Sequence, residues 1–276
     1  MIGDSKIKSE IKNILKGDDD VTVLIHADVM QGFKIPFLNR NDFLISHYNE
    51  IKGLHDNLNI WMPTFNYGFL QNKIFDIRNS KSQVGVLSEH FRQNISEWRS
   101  SMPVFSFSGT GNILPFELTD SILDPFGKSS DFNVLYENNA WLMHYGSLFS
   151  SSTILHYAER ISEKLLYRYD KLFAGSILSL NDSILEVAIK YHVRPMNNYL
   201  GYDWLKIEND LIAEGILFKF EKDNTKILLS RIKDLIDFWV VKLNDDPFYL
   251  LDRESKLWVI PAVDKLGRSF LITDFE

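Results

Sequence analysis

The chain opens with a helical period: between Ser5 and Lys16, Ile7, Ile11, Ile14 and Leu15 share one face, and Gly17 stands where the helix should stop. The pattern then tightens into a β-branched run, Val21-Thr22-Val23-Leu24-Ile25, which predicts a strand buried on both faces, as in a parallel sheet. It ends on the polar group His26-Ala27-Asp28. In open α/β sheets ligands collect at the carboxyl ends of the strands, where the loops converge, so His26 and Asp28 are candidates by position. A second helix is predicted from Asn41 to about Leu54, capped by Asn41 or Asp42. A second strand over Asn59-Ile60-Trp61-Met62 breaks at Pro63-Thr64, and this β-α-β alternation predicts the α/β class.

From Asn66 to Phe107 the pattern is loop-rich, interrupted by a helix predicted over Val86 to Gln93. Leu142 to Gly146 predicts another strand, and behind it Ser150-Ser151-Ser152-Thr153 leads into a helix that carries His156 and Glu159. Two amphipathic helices are expected over 197–215 and 228–243, with a hairpin-like Ile216-Leu217-Phe218-Lys219-Phe220 segment and an Asp223-Asn224 turn between them. Tyr249-Leu250-Leu251 and Leu257-Trp258-Val259-Ile260 read as closing strands. The expected architecture is a central mixed sheet flanked by helices: a core over residues 1–190 and a small α+β subdomain over 191–276.

Composition narrows the chemistry. Of 276 residues 45% are hydrophobic and 24% charged, proportions that exclude a largely disordered chain. The 30 Lys and Arg against 37 Asp and Glu leave a net charge of −7 with no basic block, which argues against nucleic acid as a partner. The absence of cysteine removes disulfides, thiolate nucleophiles and Cys-ligated zinc or iron–sulfur sites. With no signal-like start and no apolar run long enough for a bilayer, the chain reads as cytoplasmic and free of membrane.

The sharpest constellation is Thr153-Ile154-Leu155-His156-Tyr157-Ala158-Glu159. On a helix His156 and Glu159 lie three apart on one face, so the carboxylate can orient the imidazole and stabilise its charged form, making a general base. The same spacing also describes an ordinary surface pair, and spacing alone does not decide between them. No metal is expected, because neither an H-E-x-x-H pair nor a second close histidine accompanies them. Arg99, with Ser100 and Ser101 beside it, could hold a phosphate or carboxylate, or could pair with an acid at a loop end. Gly109-Thr110-Gly111 reads as a turn, since no phosphate-loop motif surrounds it. His144 reads as a satisfied core histidine, while His47, His55 and His192 are expected to face solvent. A hydrolase built on Ser106 or Ser129 lacks the G-x-S-x-G elbow.

Taken in order, these segments resemble the aminoglycoside 3-N-acetyltransferase family. The matching stretches are Val23 to Asp28, Met62-Pro63-Thr64, Ser80-Lys81-Ser82-Gln83-Val84-Gly85 with Glu89 and Arg92, Arg99 to Pro103 with Ser106, Phe126 to Ser130, and Thr153 to Glu159. The resemblance implies the antibiotic N-acetyltransferase fold, distinct from the common acetyl-CoA N-acyltransferase fold. It also implies acetyl-CoA or another acyl-CoA as co-substrate and a small amino-sugar acceptor. The pantetheine arm is then expected along His26, Ala27, Asp28, Pro63, Thr64, Ser82, Val84 and Gly85. His156 becomes the essential base with Glu159 beside it, and Thr153, Arg99 and Ser106 are candidates for oxyanion or phosphate contacts. The chain departs from the family pattern at Asp28, where Ser is usual, and at Met102, where His is usual. Relatives acylate amino sugars carried on nucleotides as well as antibiotics. The expected activity is therefore N-acylation of an amino sugar, nucleotide-linked. The alternatives are aminoglycoside 3-N-acetylation conferring antibiotic resistance, or a catalytically silent CoA- or sugar-binding protein.

Overall fold

The computed structural model describes residues 2–36 and 39–276. The first half runs α1 (Ile2–Leu15), β1 (Val21–Ala27), α2 (Arg40–Lys52), β2 (Leu58–Pro63), α3 (Phe69–Asn72), β3 (Ile74–Asp76), α4 (Val86–Asn94), β4 (Trp98–Arg99), β5 (Phe107–Gly109) and β6 (Ile122–Leu123). It continues with α5 (Asp131–Glu137), β7 (Trp141–Tyr145), α6 (Leu155–Ile161), β8 (Tyr169–Leu178) and β9 (Ile184–Val193). The last part holds α7 (Trp204–Ala213), β10 (Leu217–Lys222), β11 (Thr225–Arg231), α8 (Ile232–Asp245) and α9 (Arg253–Leu266).

Seven strands form a central mixed sheet in the order β10-β11-β7-β1-β2-β5-β4. Its middle is parallel, β7 to β1 to β2, and antiparallel strands extend both sides. The two-residue period of the strands sorts their side chains between two cores. Val23, Ile25, Ile60 and Met143 pack on one face with α1, α2 and α4, while Leu24, Trp61, Leu142 and Leu228 pack on the other with α5 to α8. Both faces are covered, which is why β1 reads as an unbroken apolar run. Four strands make a second sheet in the order β3-β8-β9-β6, built around the long antiparallel pair β8 and β9.

Several expectations are corrected. The α2 cap is Asn39, whose side chain accepts the Asp42 N–H at 2.9 Å, ahead of the Asn41 or Asp42 that the sequence pattern favours. Leu228 belongs to β11, and the helix begins at Ile232; likewise α7 begins at Trp204 rather than near Asn197. Leu257 to Ile260 are helical: Asp252 caps α9 by accepting the Ser255 N–H at 2.7 Å, and Val259 and Val263 bury at helical spacing. His47 is buried beside the Tyr145 hydroxyl at 2.6 Å, and His192 is buried in β9, so neither faces solvent. The boundary expected at residue 190 falls inside β9, and β11 pairs directly with β7 in the central sheet, so residues 191–276 contribute structure to the core. Among the described residues no helix is long and apolar enough to cross a membrane.

Candidate active site

Parallel pairing of β1 and β7 sets His26 beside His144 at the carboxyl ends of the central strands. Their rings stack with centroids 5.2 Å apart. His144 is a satisfied core histidine, with Nε2 2.8 Å from the Ser152 hydroxyl and Nδ1 3.0 Å from that of Ser147. Burial pushes His26 down to about 4 and holds His144 well below the usual histidine value, so both rings are neutral. Gly146 follows at φ +76°, where a Cβ would lie 2.1 Å from the Asp28 carbonyl oxygen; only glycine lets the β1 loop approach this closely.

Beyond Gly146 the chain turns into α6, whose His156 and Glu159 form the pair anticipated from spacing. Glu159 is fully buried and His156 is 24% exposed, so the carboxylate lies beneath the ring and the ring opens outward. The His156 Nδ1–H donates to Glu159 Oε2 at 2.7 Å, which fixes the tautomer and leaves Nε2 without a partner among the described residues. Three further groups hold the carboxylate: the Arg168 guanidinium forms an ion pair with Oε2, its Nε 2.9 Å away and donating to the Tyr202 hydroxyl at 3.1 Å, and the hydroxyls of Tyr167 and Tyr202 donate to Oε1 at 2.9 and 2.6 Å. Against the penalty of burial, the Arg168 charge and the His156 bond keep Glu159 well below the usual carboxylate range. For His156 burial is the largest influence and Arg168 the next, both lowering its affinity for a proton, while Glu159 opposes them. The net shift is downward, which leaves a free base at neutral pH.

His156 opens into a cavity of about 720 Å³. Of the residues expected along a donor arm, His26, Pro63 and Val84 line this cavity, and so does Thr153. Ala27, Asp28, Ser82 and Gly85 flank it: the two loops meet where a Gly85 Cβ would lie 3.4 Å from the Ala27 carbonyl oxygen. Thr64 turns away, fully buried, its hydroxyl donating to the Ser106 carbonyl at 3.1 Å. Arg99 and Ser106 are corrected as oxyanion or phosphate candidates. Arg99 donates to the carbonyls of Ile77, Ser80 and Thr64 at 3.0, 2.6 and 3.0 Å and to the Ser106 hydroxyl oxygen, so the pair clamps three loops and has no donor to spare.

Sequence reasoning missed Arg168, Tyr167 and Tyr202, which fix Glu159, and the aromatic wall of the cavity. A signal existed for the first two: Arg168 sits in the aromatic run Leu165 to Tyr169, and a charge in such a run calls for a buried partner. Tyr202 had none, because it reaches Glu159 from the turn before α7, 43 positions away. Among the described residues no cluster of His, Asp or Glu could hold a metal ion.

The parallel-centred α/β fold thus opens a buried carboxylate–histidine pair into a cavity at the strand ends. The chain belongs to the aminoglycoside 3-N-acetyltransferase family, whose model matches residues 54–244, and it is thus an acyl-CoA-dependent N-acyltransferase. The fold is shared with AAC-IIIb, solved as a binary complex with CoASH, at TM-score 0.68 and 17% identity over 86% of this chain and 96% of that one. It is shared too with the apoenzyme of the aminoglycoside acetyltransferase AAC(3)-IVa, at 0.64 and 18% over 94% and 96%. The YokD protein from Bacillus subtilis matches at 0.66 and 16% over 87% and 94%. No curated protein matches the sequence significantly.

Proposed function

We propose that the protein transfers an acyl group from acyl-CoA to the amine of an amino sugar, nucleotide-linked rather than a free aminoglycoside, with His156 as general base. The observation that carries this reading is the cavity wall: His156 faces tyrosines and arginines there, and no Asp or Glu lines it among the described residues. A polycationic antibiotic needs carboxylates in its pocket, whereas an anionic sugar conjugate is repelled by them. The AAC(3)-IVa relatives solved with a gentamicin and with apramycin show what others of this fold bind, and the wall described here suits a different charge.

Pro63 and Val84 offer an apolar strip that suits an unbranched pantetheine arm, and His26 beside them keeps Nε2 without a partner among the described residues. The thioester supplies an activated acyl carbon and a good leaving group, since a thiol ionises near ~8.5. His156 Nε2 removes the proton that an ammonium must lose before attack, and Glu159 stabilises the imidazolium that forms. Arg168 and the two tyrosines keep Glu159 ionised for that task. The Thr153 hydroxyl, held only by a long 3.4 Å bond to the Ser151 carbonyl, is free to donate to the oxyanion of the tetrahedral intermediate. Acyl-CoA and nucleotide sugars are cytoplasmic metabolites, which favours a cytoplasmic site of action.

The deciding experiment follows CoA thiol release with several acyl-CoAs against free aminoglycosides and nucleotide-linked amino sugars, in parallel with His156→Ala. Amine-dependent release that falls about 10²- to 10⁴-fold in the variant supports the base. Equal release by both proteins sinks it. CoA binding without turnover of any amine would point instead to a silent binding protein, and preferential turnover of aminoglycosides would overturn the acceptor class.

A further inference from the structure

Three hydrogen-bond donors in the His156 cavity have no acceptor among the described residues: the Arg194 guanidinium and the hydroxyls of Tyr67 and Tyr191. All three line the cavity into which His156 opens, and the two phenol rings share one aromatic neighbour. The group is built rather than loose. Phe105 packs edge-on against both rings, at 5.3 Å from Tyr191 and 6.4 Å from Tyr67. Gln83 Oε1 accepts the Tyr67 backbone N–H at 2.7 Å. Arg194 follows directly on β9, and Pro195 after it restricts its backbone to extended conformations.

A planar guanidinium and two phenols that need acceptors, in a wall free of carboxylates, match a tetrahedral oxyanion. At the same rim Tyr199 is 54% exposed, with its hydroxyl tied to Asp252 at 2.7 Å, and Met196 is 55% exposed beside it, apolar surface suited to a planar base.

Resting on the reading of an amino-sugar acceptor, we propose that Arg194, with Tyr67 and Tyr191, binds a phosphate of the acceptor, so that the substrate is an amino sugar esterified to a phosphate or diphosphate. The phosphate could in principle come from either substrate. Those of acyl-CoA lie a full pantetheine length from its sulfur, whereas a phosphate on the anomeric carbon lies one sugar ring from the amine. The expected donor-arm residues Pro63 and Val84 line the same cavity, so the assignment to the acceptor is decided by which of the two substrates pyrophosphate displaces.

The test uses Arg194→Gln, with Arg194→Lys and Tyr191→Phe as companions whose folding is checked by circular dichroism. Calorimetric titration of inorganic pyrophosphate is expected to give binding that Arg194→Gln weakens about tenfold or more and Arg194→Lys partly restores. Pyrophosphate should compete with a nucleotide-linked amino sugar and not with acetyl-CoA. In steady state Arg194→Gln should raise the KM of that acceptor by about the same factor, leave the acetyl-CoA KM within about twofold, and Tyr191→Phe should raise the acceptor KM a few-fold. Pyrophosphate binding indifferent to Arg194, or a rise confined to the acetyl-CoA KM, overturns the proposal. Because the titration needs no turnover, it stands apart from the assay of His156: loss of the base reading leaves the anion result intact, and the reverse also holds.

Discussion

Glu159 in α6 and Asp131 at the start of α5 are both buried carboxylates on neighbouring helices, joined through the Tyr157 hydroxyl, which donates to Asn133 Oδ1 at 2.7 Å. Their environments push them in opposite directions. Three donors and the Arg168 charge hold Glu159 well below the usual range. Asp131 accepts the Phe116 N–H on Oδ1 at 2.8 Å, and its Oδ2 has no partner among the described residues. Burial pushes it up to about 6, against the smaller pull of Ser100 and Phe116. Burial with few donors thus makes a carboxyl hold its proton to higher pH, and a buried carboxylate is a firm anion only where enough donors and charge replace the water it has lost.

Replacing Glu159 by Gln tests the contrast most strongly. It strands the Arg168 charge and should cost about 3–5 kcal/mol in denaturant unfolding, with kcat/KM falling about a hundredfold or more. Wild-type stability in that variant would mean that Glu159 is not the counter-ion. Next comes the pH profile of Arg168→Gln. In the parent, His156 titrates below its ordinary 6.5, so activity should hold through neutral pH and fall only on the acid side. Removing the Arg168 charge leaves Glu159 to favour the imidazolium, and the acid limb should move to higher pH, as should the His156 titration followed by NMR. Among the groups around the ring, Glu159 pulls that way, while His192 and burial continue to oppose it.

A smaller effect is expected at Asp131. Its folded pKa exceeds its unfolded value, so the native state holds the extra proton and stability declines as pH rises from 3.8 through about 6. Asp131→Asn should remove that decline, gaining about 3 kcal/mol at pH 8 and nothing below about pH 4. A gain independent of pH would show that the carboxyl stays ionised. Smallest is Tyr167→Phe, which deletes one donor to Glu159 and should cost about 1 kcal/mol and a few-fold in rate.

The parts of this site carried by local pattern were legible in the sequence. His156 and Glu159 lie on one turn of helix, and the strand over Val21 to Ile25 announces itself by its β-branched run, ending at His26 where the cavity begins. What escaped depends on distant chain segments. Arg99 looked like an anion ligand because nothing local shows three carbonyls from separate loops converging on it. His192 alternates within β9, part of a hairpin whose partner strand and turn give only modest hydrophobic contrast, and in the fold it is buried opposite Asp170, whose Oδ1 lies 3.2 Å from its Nδ1. Leu257 to Ile260 misled because a short apolar run before a proline has no period to distinguish strand from helix; the cap at Asp252 decides it.

The place of β11 bears on how the molecule is made. β7, which leads into the His156 helix, is bordered by β1 on one side and β11 on the other. As the polypeptide emerges during synthesis, β1, β2 and β7 can associate early, yet the outer edge of β7 stays open until the chain has grown to Arg231. Over that interval an apolar strand edge is exposed to other nascent chains, so the active centre forms late and the ribosome-bound intermediate is the species most in need of a chaperone.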